Sequence, residues 1–197
     1  MARPIDTAAR AAQRRIILEA AGRLFAENGF HQTGMAAICR EAGMSPGGLY
    51  RYFGSKAALI EGIVAQERAE VLTLLDALEA TDDLRSGLVD LLLACATAAL
   101  DPHATALTLE VAAEGARNPS VGAMVDEVYQ AFSGRLAAML RAAQDRGAVP
   151  SDVDPTSAAL ILAAAADGLS ASAAGREGLS PNRLRSSLER VVDGLLS

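Results

Sequence analysis

The sequence predicts an all-α fold of about nine helices, on three observations. Just over half of the 197 residues are hydrophobic, but the apolar set is mostly Ala, Leu and Val, with few aromatics and no Trp. That composition suits helices better than strands. Apolar residues recur at spacings of three and four, and no stretch alternates apolar with polar as a half-buried strand would. The periodic segments are bounded by helix start and stop signals: Ser, Thr, Asp or Asn ahead of each, often followed by Pro, and Gly behind several.

Taken in order, the first helix begins near Thr7 and stops at Asn28–Gly29, with Ile17, Ala20, Ala21, Leu24 and Phe25 on its core face. Arg10, Arg14 and Arg15 lie largely off that face, open either to solvent or to a nucleic-acid backbone. Thr33 is placed to cap a second helix, Gly34 to Ala42, from which Met35 and Ile38 point inward and Cys39 is a small core residue. Gly43 supplies the left-handed residue that a helix C-terminus favours. Ser45 then caps, and Pro46 opens, a third short helix to Phe53. It buries Leu49 and Phe53 and leaves Gly47, Gly48, Tyr50, Arg51 and Tyr52 outward. A helix, a Gly-containing turn and a second short helix make a helix-turn-helix.

From Ser55 a long helix runs to about Ala80, with Leu59, Ile60, Ile63, Val64, Val71, Leu74, Leu75 and Leu78 as its apolar stripe. Five more follow: Leu84 to Leu100, His103 to about Arg117, Val121 to Arg146, Pro155 to about Gly175, and a last one opened by Ser180–Pro181. The expected organisation is a helix-turn-helix DNA-binding domain over 1–54 and a helical domain over 55–197 that carries the dimer contacts. Leu162 and Leu169 on the small-residue eighth helix, with Leu184, Leu188, Val191 and Leu195 on the ninth, are expected at the dimer interface. Two helices from each subunit would form a four-helix bundle.

Charge divides at the same boundary. Residues 1–60 carry eight basic and four acidic side chains, whereas residues 61–197 carry ten and twenty. A basic head on an acidic body is the asymmetry expected when only the head meets phosphates. The chain lacks G-x-S-x-G, H-E-x-x-H and phosphate-loop motifs, so no enzyme is expected. Cys39 and Cys95 have no metal-ligand spacing, and no metal or other cofactor is expected. The apolar runs are too short to span a bilayer and Met1 to Asp6 lacks a signal-peptide core, so the expected location is cytoplasmic.

Residues 12–60 resemble the TetR family of bacterial transcriptional regulators. The resemblance rests on I-I-L-E-A-A-G-R-L-F-A-E-N-G-F, Thr33, I-C-R-E-A-G-M-S and G-G-L-Y-R-Y-F-G-S-K-A-A-L. It implies a three-helix DNA-binding domain followed by a helical ligand-binding and dimerisation body. By position it implies DNA contacts from Thr33, Ser45, Pro46, Gly47, Gly48, Tyr50, Arg51, Tyr52 and Lys56, the chain's only lysine. Gly34 stands where Thr or Ser is common in the family and Ala36 where a polar residue is common. Direct base readout then rests on few groups, and shape readout carries more.

The resemblance also implies a small-molecule effector of unknown identity. Its candidate lining is Cys95, Leu107, Glu110, Met124, Tyr129, Phe132 and Asp167, and a body with few aromatics and an excess of acid favours a neutral apolar or cationic compound over a flat anionic one. The expected function is a homodimeric repressor on a palindromic double-stranded operator, released by effector. The alternatives are a DNA-organising protein with no effector and an activator of the same family.

Overall fold

The computed structural model describes residues 7–172 and 181–197. Among these the elements are α1 (Thr7–Asn28), α2 (Met35–Glu41), α3 (Pro46–Tyr50), α4 (Lys56–Glu79) and α5 (Leu84–Ala98), then α6 (Pro102–Gly115), α7 (Pro119–Asp145), α8 (Pro155–Ser172) and α9 (Pro181–Leu195). No strand occurs among the described residues. Ser180, expected to open the last helix, and residues 173–175, expected to close the eighth, lie outside them.

Helix starts follow local chemistry. The side chains of Ser45, Ser55, Asp83, Asp101 and Asn118 each accept from a backbone N–H in the first turn that follows, at 2.9–3.2 Å. Asp154 does the same for Ser157. Each such cap stabilises its helix by about 1 kcal/mol. Gly29 and Gly43 adopt φ of +78° and +64° at the exits of α1 and α2, where a side chain would be strained.

Two local expectations are corrected. Gly34, with no side-chain cap, precedes α2. The Thr33 hydroxyl turns inward instead, donating to the Leu24 carbonyl in the last turn of α1 at 3.0 Å or to that of Gly29 just past its end at 2.9 Å. A buried hydroxyl must find a partner, and these two carbonyls supply it. Helix α3 ends at Tyr50, not Phe53: Tyr52 donates to the Leu49 carbonyl in a tighter turn that swings Phe53 into the core.

The buried residues form two clusters. The first joins Ile17, Phe25, Ile38, Leu49, Phe53, Leu59 and Ile60 to Val111 of α6 and Val121 of α7. The second packs Leu75, Leu88, Leu92, Leu136, Leu140, Leu162 and Val192. Helices α4 and α7 run side by side from one cluster to the other. Arg68 pairs with Glu127 at 3.5 Å, and Arg135 with Asp76 and Glu79 at 2.8 and 2.6 Å. Residues 65–70 of α4 are exposed where the helix crosses between clusters. Leu74, expected in the buried stripe, is 37% exposed.

Most residues expected at the dimer seam pack within the single chain. Leu162 and Leu188 are 1% and 6% exposed in the single chain, so no partner can bury them further. Leu169, Leu184 and Leu195 pack half-buried on the same core. The reason is that α9 lies along α5, fixed by Arg85–Asp193 and Arg185–Asp90 ion pairs, and this consumes its leucines within the subunit. Val191 alone of the six stays open, with Leu160 and Ile161 of α8 also about half exposed.

Candidate nucleic-acid interface

The outer face of α3 is built by short-range rules and aimed by two anchors. Ser45 and Pro46 start the helix, and Leu49 and Phe53 pin it to the first cluster. This leaves Ser45, Pro46, Gly47 and Arg51 exposed, and Tyr50 52% exposed. A side chain at Gly47 would point into open space, whereas one at Gly48 would press on Ser45 Oγ and Met44 Cε. Gly48 therefore serves the turn, and Gly47 keeps the outer face low enough for close backbone approach.

Basic side chains from α1 flank this face. Arg14 donates to the Tyr52 carbonyl at 3.3 Å and lies 4.4 Å from the Phe53 ring centroid. Arg10 stands 6.0 Å from the ring of Tyr52, which is half-buried rather than outward as expected. No acidic residue occurs between Glu41 and Glu61, and Glu41 is paired with Arg23 at 3.0 Å. The face is locally cationic on a chain of net charge −6.

Lys56 occupies a different environment from Arg51. Its ammonium donates to the carbonyls of Phe30, His31 and Thr33 at 2.6, 3.1 and 3.1 Å, and sits 4.5 Å from the Phe30 ring centroid. All three N–H donors are committed to the α1–α2 loop. With the Thr33 hydroxyl also turned inward, these two residues hold the loop from inside.

The candidate effector residues separate into two groups. Leu107 and Met124 pack on the first cluster, and Glu110 accepts from the Phe30 amide at 3.2 Å, so these three contact the reading head rather than a body cavity. Cys95 and Phe132 pack on the second cluster, and Tyr129 lies half-buried on α7. Cys95 is hydrogen-bonded by Ser170, near Asp167; burial pushes its thiol up. Burial likewise raises Asp167, and it raises Glu67 of α4 with help from the charges of Glu70 and Asp167. Both residues are nonetheless exposed at the surface of the single chain.

Glu67 and Ser170 were not singled out from the sequence, because a lone Glu or Ser on a helix is ordinary. Glu110 and Glu114 did carry a signal: with Leu107 and Val111 they fall at inward-facing helical spacing. A separate cleft of about 180 Å³ between α5 and α9, lined by Arg85, Val89 and Arg185, contains none of the expected lining residues. Among the described residues no group of three metal-ligating side chains comes together, and no helix is long and apolar enough to cross a membrane.

Comparison with known proteins agrees with this architecture. Residues 17–63 match the model of bacterial regulatory proteins of the tetR family, and residues 84–197 match that of the BetI-type transcriptional repressor C-terminal domain. The HTH-type transcriptional regulator UidR of Escherichia coli K12 is 33% identical over 154 residues, 74% of each chain. The structure of Salmonella enterica GusR superposes with a TM-score of 0.80 at 35% identity, covering 100% of this chain and 98% of that one. A transcriptional regulator from Saccharomonospora viridis, solved with choline, gives 0.75 at 27% identity over 93% and 96%.

Proposed function

The chain belongs to the TetR family of bacterial regulatory proteins and is a DNA-binding transcriptional regulator; from that premise we propose that it is a homodimeric repressor released from a palindromic operator by a small cation. The observation that carries the DNA-binding reading is the open face of α3, glycine-lowered and bordered by arginines. Two such faces enter successive major grooves, with Ser45, Pro46, Gly47, Tyr50 and Arg51 against DNA and Arg10 and Arg14 near phosphates. Thr33, Gly48, Tyr52 and Lys56 support that surface from behind. The dimer forms through α8 and α9 by way of Leu160, Ile161 and Val191 rather than the leucine seam.

The effector site lies where Glu67, Cys95, Asp167 and Ser170 converge on the body. Two crowded carboxylates favour a cation, and a structural relative at 27% identity holds choline. Effector shifts the dimer to a head spacing that no longer fits the operator, and by linkage DNA weakens effector binding by the same factor.

The test is binding to the DNA upstream of the protein's own coding region and to scrambled DNA of equal length, across a salt series, followed by selection from random DNA. Selective binding to a two-fold site, abolished by a quaternary ammonium compound, is the expected result. Equal affinity for every sequence, even after selection, would favour a DNA-organising role and overturn this reading.

A further inference from the structure

We propose that Arg51, reaching across Gly47, reads a guanine in each half of the operator and is the main source of direct base recognition. The proposal rests on the regulator reading above and names the base that its reading face selects.

The head commits most of its polar side chains to internal contacts. Ser45 Oγ accepts from the Gly48 amide at 3.2 Å, Gln13 donates to Met44 Sδ at 3.2 Å, and Thr33 and Lys56 turn into the α1–α2 loop. Arg14 donates to the Tyr52 carbonyl, Arg10 stands by the Tyr52 ring, Arg15 pairs with Glu19 at 3.6 Å, and Arg23 pairs with Glu41. The guanidinium groups of Arg40 and Arg51 have no partner among the described residues, and both residues are exposed. Their helices separate their roles. Arg40 lies in the last turn of α2, and the first helix of a helix-turn-helix crosses the DNA backbone. Arg51 closes α3, the helix that enters the major groove.

Arg51 keeps helical dihedrals, φ −72° and ψ −22°. A helical side chain leans back over the preceding turn, toward the residue four places earlier. For Arg51 that residue is Gly47, about 6 Å back along the axis, where a Cβ would meet nothing within 4 Å. The missing side chain lets the guanidinium lie along the outer face of α3. Pro46, Gly47 and Gly48 carry no side-chain donor or acceptor. With Ser45 committed, the face presents one guanidinium and the single hydroxyl of Tyr50.

The chemistry of that guanidinium selects the base. It is a donor only, in a fixed fork. In the major groove guanine offers two adjacent acceptors, N7 and O6. Adenine sets an acceptor beside a donor, cytosine offers a donor, and thymine a single acceptor beside a methyl. Only guanine accepts from both arms of the fork.

The test uses the full-length protein and an operator selected from random DNA. Each guanine of the half-sites is replaced in turn by 7-deazaguanine, which keeps base pairing and removes the N7 acceptor. At one guanine per half-site the replacement should weaken wild type about tenfold and leave Arg51→Ala unaffected. Selection with Arg51→Ala should return a site that no longer fixes that base. Arg40→Ala should weaken all sequences alike and flatten the slope of log affinity against log salt by about 0.9 per subunit. Gly47→Leu, whose side chain has open space, should keep its Tm and lose the guanine preference. The proposal is overturned if Arg51→Ala shows the uniform loss expected of Arg40→Ala, or if Gly47→Leu keeps the preference. A two-fold site without an Arg51-dependent guanine would overturn the proposal alone. Selection that returns no two-fold site would overturn the regulator reading and the proposal together.

Discussion

Replacing Lys56 by Met keeps the length of the side chain and removes the ammonium. Two roles predict different outcomes. In the structure the ammonium donates to three loop carbonyls and rests over a Phe ring. A hydrogen bond to a charged group contributes about 1.5–3 kcal/mol, but this ammonium is partly exposed, so the low end applies. Its charge also opposes the positive end of the α4 dipole, costing about 0.3–1 kcal/mol. Counting the three bonds of this one ammonium together as a single low-end contribution, the net expectation is a loss of about 1 kcal/mol, or roughly 2–4 °C in Tm for a chain of this size. Affinity for DNA then falls through a loosened loop, with the salt dependence nearly unchanged. A phosphate-binding lysine would behave otherwise: Tm would hold, and the slope of log affinity against log salt would shrink by about 0.9 per subunit. Thermal unfolding and a salt titration on the same variant separate the two. An unchanged Tm with a shallower slope would refute the bracing role.

Gly122→Ala should destabilise by about 1–3 kcal/mol, because the new methyl meets a backbone carbonyl that cannot rotate away; urea unfolding with an unchanged midpoint would contradict the close α6–α7 crossing. Ile161→Glu combined with Val191→Glu should yield a folded monomer by light scattering, since both side chains are exposed in the single chain. Leu188→Ala should instead cost about 2–5 kcal/mol of subunit stability through the cavity it leaves. Glu67 is raised by burial first and by Glu70 and Asp167 after it. The stability its protonated form confers is therefore present below the ordinary carboxylate pKa and lost as pH rises through the raised value. Glu67→Gln should raise Tm at pH 7, with the difference vanishing near pH 4; a pH-independent difference would rule this out.

What the sequence determined by itself was whatever depends on neighbours a few residues apart. Ser45–Pro46, Asp101–Pro102 and Asn118–Pro119 each start a helix because cap and ring act within one turn. Gly29 and Gly43 end helices through their own φ. The inward faces of α1 and α3 followed from spacing, and the tetR-like motif assigned the head. The tertiary structure decided the rest, because partners distant in sequence compete for the same groups. Lys56, legible as a free cation at a helix start, found three carbonyls 23–26 residues back. Thr33 faced α1 rather than α2. The leucines of α9 had two surfaces to choose from, their own α5 or a second subunit, and periodicity is identical for both. Glu110, which spacing marked as inward-facing, acquired its partner only when folding brought the Phe30 amide, 80 positions away, to its carboxylate.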